Sequence, residues 1–257
     1  MRALKCSRTL ITLDVTMVYA ALCIFAAAVV RGYAGFGFSL LGITALSLVL
    51  PPATVVPSIF MLEVLAGLPL LPGLWRLIHW RELLWLFLGC LLGTPFGVYA
   101  LAHAPAAPMT LGLAVFVLVS AVVLSRGYRL QRMPRPPVAF VTGIASGLAN
   151  GGFGMGGPPV ILFFFSSPAG VAAGRASLIA YFMMTDIVGL GWQGANGLIN
   201  TATVLRAAVF LPLLATGVWL GNHRFKQAEP ASAHRWILRL LMLLALLTGA
   251  RAISQLY

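Results

Sequence analysis

Apolar stretches long enough to cross a bilayer recur from one end of this chain to the other, and little polar sequence lies between them. Of 257 residues, 60% are hydrophobic and only 9% are charged, against about a quarter charged in a soluble globular domain. So few charges cannot cover a water-facing surface. A backbone in lipid must satisfy its own N–H and C=O groups, and a helix of about 20 mostly apolar residues does this for one crossing. The expected fold class is all-α, a polytopic membrane protein with no sizeable soluble domain.

The formal net charge of +12 would suggest nucleic acid in a soluble protein. Here many basic residues sit in short linkers between apolar runs, where the positive-inside rule accounts for them. No nucleic-acid-binding motif is present, so nucleic acid is excluded as a partner. Cys6, Cys23 and Cys90 are an odd number without metal-ligand spacing. No metal or cofactor is expected, and the cysteines read as small inert residues. Arg2, Lys5 and Arg8 ahead of the apolar stretch Val15–Val30 imitate a signal peptide. Leu22 stands before Cys23, where a lipoprotein site requires a small residue, so the stretch reads as a retained first span.

The spans expected are Leu13–Val30, Ala53–Leu74, Leu83–Ala102, Met109–Leu124, Val138–Ala149, Val171–Leu190, Ala202–Leu220 and Trp236–Ala250, about eight in all. Residues 1–124 and 138–257 read as two repeated membrane halves joined by a basic cytoplasmic linker, 125–137. Three matches recur in the same order at nearly one offset: Gly35-Phe-Gly37 with Gly152-Phe-Gly154, Met61-Leu-Glu63 with Met184-Thr-Asp186, and Gly97-Val-Tyr99 with Gly217-Val-Trp219. Ser39–Leu50 is about 18 Å long as a helix, too short for a core of about 30 Å, and fits a re-entrant piece. Four spans per half would put Met1–Arg8, Trp75–Glu82 and Ser125–Pro137 on the cytoplasmic face of a bacterial inner membrane, with both termini inside and parallel repeats. The basic linker Gly221–Arg235 falls outside in that scheme and argues against it. An odd number per half would give inverted repeats.

The glycine-rich breaks are the strongest local feature. They comprise Gly35, Phe36 and Gly37 in the first half, and Asn150, Gly151, Gly152, Gly154, Gly156 and Gly157 in the second. Broken backbone at membrane depth is tolerated only against protein or a wet cavity. The half-helix that follows presents unpaired N–H groups and a positive dipole end, an anion site without a charged side chain. The competing reading is close helix packing through small residues. Glu63 and Asp186 fall at matching places within long apolar runs, where an acid is costly and by default functional. They are the candidate proton-coupling groups; a hydrogen-bonded structural acid is the alternative. Arg31 and Arg175, near span boundaries, can face an anion or snorkel to headgroups, and snorkelling is favoured. Ser146, Asn150, Gln193 and Asn196 can line a pathway or bridge helices. No His lies close to an acid or nucleophile within a span, which disfavours a membrane-embedded enzyme.

The motifs Arg31-Gly-Tyr-Ala-Gly-Phe-Gly-Phe-Ser39, Pro51-Pro52 and Gly147-Leu-Ala-Asn-Gly-Gly-Phe-Gly-Met-Gly-Gly-Pro-Pro159 resemble those of the sulfite exporter TauE/SafE family of bacterial membrane permeases. The resemblance extends along nearly the whole chain. It implies about eight spans and export of a small sulfur-containing anion such as sulfite or an organosulfonate. The first motif departs from a fuller glycine pattern, because Phe36 and Phe38 interleave its glycines. The function expected is a secondary transporter whose partners are a small anion, membrane lipid and a coupling proton or sodium ion. A homo-oligomer is a further option. The rival readings are a passive anion channel, a membrane enzyme and a non-transporting assembly subunit.

Overall fold

The computed structural model describes residues 2–126, 133–165 and 170–225, with isolated positions 243, 246, 247 and 250. Ten α-helices are present among them: α1 (Arg2–Ala34), α2 (Phe38–Leu46), α3 (Pro52–Gly67), α4 (Leu71–Leu74), α5 (Trp80–His103), α6 (Ala106–Ser125), α7 (Pro136–Phe153), α8 (Gly157–Phe165), α9 (Val171–Ala195) and α10 (Thr201–Phe225). No strand occurs among the described residues.

Four of these helices carry a stretch long and apolar enough to cross a membrane: Thr16–Tyr33, Trp80–His103, Ala106–Ser125 and Thr201–His223. A fifth crossing is counted if α3 and the following Leu71–Leu77, bent by 60°, act as one. This is fewer than the eight expected. α9 mixes its apolar residues with Gly, Ser, Thr, Arg175 and Asp186, because much of it is buried in protein rather than exposed to lipid. The expected span Trp236–Ala250 lies outside the described residues. Rows of large apolar side chains stay exposed on the long helices, including Leu84, Leu88, Leu92 and Phe96 on α5 and Val115, Val119 and Val122 on α6. Such faces are stable against lipid chains and not against water. The protein is a multi-pass membrane protein.

The two breaks are narrower than the sequence implies. α7 continues as helix through Asn150, Gly151 and Gly152 to Phe153, and only residues 154–156 interrupt it. Gly154 stops the helix with a left-handed backbone (φ 70°), its N–H donating to Asn150 O. In the first half the interruption is residues 35–37, with φ 80° at Gly35 and 95° at Gly37. α2 and α8, nine residues each, are half-helices of about 14 Å.

Two long glycine seams position these elements. α5 lies along α7 and α1 along α10, the most extensive helix pairs among the described residues. Along the first seam Gly89, Gly93 and Gly97 rest on α7 backbone near Phe140, Ile144 and Leu148 in turn, and Gly143, Gly147 and Gly151 rest on α5 backbone. Along the second, Gly217 and Gly221 rest on α1 at Phe25–Val29 and Val29–Tyr33, and Gly32 on α10 at Val218–Asn222. Contacts advance together along both partners, so each pair runs parallel. In α3 and α9 they run in opposite senses: Gly67 meets Met183, and Gly189 meets Phe60. Small residues are what permit backbones to approach this closely in lipid, where burial supplies no drive between helices.

These directions sort the linkers by end. The backbone N–H of His79 donates to Ser177 Oγ (3.0 Å), and Arg175 reaches Gly32 and Asn222. A surface cavity is lined by Arg81, Glu82, Met133 and Arg135. One end of the bundle therefore gathers the starts of α5, α7 and α9 with the ends of α1 and α10. The linker around 75–82 and the described ends of the 125–137 linker share that end with the end of α10, whereas Arg2, Lys5 and Arg8 begin α1 at the opposite end. The expected grouping of Met1–Arg8 with the first two linkers does not hold in this geometry, because α1 runs a full 33 residues between them.

A Cβ at Gly147 would lie 2.5 Å from Cys90 O and 2.9 Å from Cys90 Cα, backbone that cannot yield. Gly147→Ala is expected to destabilise the protein by about 1–3 kcal/mol or more through overpacking, measured as a lowered Tm in detergent. Gly73→Ala, with nothing within 4 Å, should leave Tm unchanged.

Candidate functional site

Both breaks open on one small interior cavity. Gly37, Ser39 and Leu40 line it from the first half; Asn150, Gly154, Met155, Gly156, Gly157 and Ile161 line it from α7 and α8; Glu63, Phe182 and Asp186 close it from α3 and α9. The chain reaches it from opposite directions, because α3 and α9 run antiparallel and carry their acids at the crossing.

The amide donors are unevenly shared. The first intrahelical bond of α2 is Leu41 N–H to Gly37 O, so the amides of Phe38, Ser39 and Leu40 precede the ladder and face the cavity end of the helix. In the second break Gly154 and Met155 donate to Asn150 O and Ala149 O, and Gly156 donates to Asn150 Oδ1 (3.2 Å). Pro158 and Pro159 have no N–H to offer. The amides of residues 154–156 are thus all engaged, leaving those of Gly157 and Val160 ahead of the α8 ladder, and Ser146 Oγ donates to Gly156 O (2.6 Å) while accepting from Tyr181 OH (2.9 Å). The positive end of α2 is the richer source of anion-binding amides.

Charge is as uneven. Arg31, 0% exposed, forms an ion pair with Glu63, itself 3% exposed. Ser39 donates its hydroxyl to the other Glu63 oxygen. The Nε and Nη2 atoms of Arg31 have no hydrogen-bond partner, and its guanidinium carbon stands 5.8 Å from the Phe182 ring centroid. Snorkelling, the reading favoured from sequence, therefore fails for Arg31. Asn150 occupies the corresponding place before the second break and donates to Asp186 Oδ1 (3.1 Å). Asp186 is 1% exposed and its Oδ2 is without a hydrogen-bond partner.

The remaining sequence candidates separate. Gly151 and Gly152 sit against Thr94 and Gly97 in the α5–α7 seam and do not line the cavity; the packing reading fits them. Gly35 adjoins the cavity only through its neighbours, since a Cβ there would meet Arg175 Cγ at 2.4 Å. Phe36 is buried without lining the cavity. Arg175 donates to Gly32 O (2.8 Å) and Asn222 Oδ1 (3.1 Å), so it ties α9 to the ends of α1 and α10 and lies outside the cavity. Gln193 is buried and Asn196 partly buried, both away from the cavity lining. Among the described residues no three metal-ligating side chains cluster.

The family model described as Sulfite exporter TauE/SafE matches residues 20–249, a span holding both breaks, both acids and both seams. The chain belongs to the sulfite exporter TauE/SafE family. It is a membrane transporter and not an enzyme. A protein of Cupriavidus necator described as a probable sulfite/organosulfonate exporter TauE is 28% identical over 208 residues, 78% of this chain and 80% of the relative. No solved structure matches this TauE/SafE chain.

Sequence reasoning missed Tyr181 and Phe182, which stand in an apolar run and carry no local signal. Ser39 belongs to the first motif, and its place two residues after Gly37 marks it as a first-turn residue of the half-helix. Glu63→Ala would leave Arg31 buried without a counter-charge, a loss of about 3–5 kcal/mol. Replacing both, Arg31→Met with Glu63→Leu, should cost distinctly less than the sum of the single changes; a double-mutant cycle on thermal unfolding in detergent checks this.

Proposed function

We propose that the protein exports a small sulfur oxyanion, sulfite or an organosulfonate, as a secondary carrier coupled to protons. The anion sits in the cavity between residues 35–37 and 154–157. The observation that carries the reading is the convergence on one cavity of the α2 N-terminus and two buried acids, one of them paired with a wholly buried guanidinium that stands outside the lining and keeps two nitrogens without partners. Amides and dipole favour negative charge there, and the guanidinium adds a positive charge behind Glu63. The printed name of the Cupriavidus relative supports the substrate class. The acids supply a proton-binding function at membrane depth.

The carrier is a duplicated unit, and its halves are inverted. Support comes from the likeness of the seams, in which α1 pairs with α10 and α7 with α5, and from the antiparallel crossing of α3 and α9. On this reading the end of the bundle that gathers Arg76, Arg81, Arg126, Arg135 and the end of α10 is cytoplasmic by the positive-inside rule, and α1 starts on the far side. The scheme with four spans per half and both termini inside is replaced, and the linker after α10 no longer stands against the topology. Rocking of one half on the other would expose the cavity to each side in turn.

Gly157 lines the cavity with an ordinary helical backbone, and a Cβ there would meet Ile161 and Phe182 at 3.3 Å. In proteoliposomes, Gly157→Leu should cut sulfite and alkanesulfonate flux at least tenfold while the protein stays monodisperse. Undiminished flux would remove the cavity from the pathway, and flux of the wild type that a proton gradient cannot drive uphill would favour a channel. For orientation, cysteines at Ser125 and His103, on opposite ends of α6 and near its junction with α5, should differ in a background without native cysteines. Ser125→Cys reacts with an impermeant maleimide in inverted vesicles and His103→Cys in right-side-out cells.

A further inference from the structure

We propose that the two buried acids have divided roles: Glu63 is a fixed counter-charge to Arg31, and the anion binds when Asp186 carries a proton, so that proton and anion cross together. This deepens the function proposed above and rests on the anion site described there.

The divided roles follow from what stands opposite each acid. At corresponding places one helix before each break sends a side chain to the acid: Arg31 to Glu63, Asn150 to Asp186. Glu63 meets a full positive charge and accepts on both oxygens, from Arg31 and Ser39. Asp186 meets a neutral amide on one oxygen and has no hydrogen-bond partner on the other. The Asn150 amide is held in that orientation, because its Oδ1 already accepts the Gly156 N–H. Asn150 faces Asp186 from α7, Glu63 from α3, Arg31 from α1, Cys90 from α5 and Tyr181 from its own helix. The single cation in that set is Arg31, and Glu63 already holds it.

An ionised Asp186 therefore leaves one unbalanced negative charge in an apolar interior, beside a second acid, an arrangement that burial penalises heavily. An anion entering the same cavity adds another negative charge next to it. A proton from water on Asp186 Oδ2 converts the carboxylate to a neutral acid, and its O–H then faces the cavity as a donor rather than as a repelling charge. No covalent bond to the anion forms. When the anion leaves, the carboxyl group can return the proton to water on that side. The proton and the anion thus bind with positive linkage, and a sulfonate monoanion crosses with no net charge; an inward proton gradient opposes that step, so export runs down the anion's own concentration gradient.

The test uses the full-length purified protein and an alkanesulfonate, whose own charge is constant between pH 5.5 and 9. Wild-type affinity, read by calorimetry, should fall as pH rises, approaching tenfold per unit. Asp186→Asn should bind with an affinity that pH does not change. Glu63→Gln should keep the dependence but lose affinity at lower pH, because the freed Arg31 charge then stabilises the Asp186 carboxylate. A pH dependence that survives in Asp186→Asn, or one abolished by Glu63→Gln in a folded protein, overturns the division of roles. In liposomes loaded with a pH-sensitive dye, an inward sulfonate gradient should acidify the lumen with the wild type; sulfonate uptake without acidification also overturns it, whether or not the variants fold. Absence of sulfonate binding by the wild type at every pH would instead refute the anion site itself.

Discussion

A guanidinium with no exposed surface inside a membrane protein needs a negative partner fixed to the fold, and the arrangement around Arg31 follows from that need. No acid stands three or four residues away on α1, so the carboxylate comes from another helix. Glu63 supplies it from α3, so the segment between them, α2 and its flanking turns, is folded back into the interior as a half-helix. That fold-back puts the first turn of α2 at the cavity and brings Ser39 to the second carboxylate oxygen. Breaking such a pair costs far more than forming it yields. Its value lies in fixing one geometry, with the free face of the guanidinium turned away from Glu63.

The second half reaches a similar geometry by neutral means. Asn150 caps the break through Oδ1 and reaches Asp186 through Nδ2, Ser146 takes the carbonyl at Gly156, and Tyr181 completes the chain of hydrogen bonds. Two prolines follow Gly157 in the first turn of α8, where donors would otherwise be exposed. The result is a rigid, self-satisfied turn facing one that keeps donors in reserve. On the proposed reading, an anion entering between them meets amide donors mostly on one wall and a carboxyl group on the other.

Much of this was legible in the sequence, for physical reasons that also mark where legibility ended. Apolar length and the near absence of charge sufficed for membrane helices, because lipid allows few alternatives. Glycine pairs marked the breaks, since Gly35, Gly37 and Gly154 hold backbone angles that side chains resist. The long run from Asn150 to Gly157 was read as one interruption, yet Gly151 and Gly152 are helical and serve the seam. Glycine composition alone does not tell a turn from a close approach. On the proposed duplication, Gly97 corresponds to Gly221 rather than to Gly217: Gly97 rests at Leu148 and Gly152, Gly221 at Val29 and Tyr33. Seam glycines one helical turn apart match one another almost equally well. The pairing of Arg31 with Glu63 had no local trace, being a contact between residues 32 apart in the chain.

The crossed seams have a consequence for how the molecule is made. α1 enters the membrane first, but the helix on which its glycine face rests, α10, ends only at Phe225. α5 likewise waits for α7. While the ribosome is still delivering the later helices, the backbone-baring strip around Gly32 must shelter against lipid or an insertion factor. Biogenesis therefore closes this clasp only late, and a chain cut at the central linker would leave each early helix without the companion it was shaped to meet.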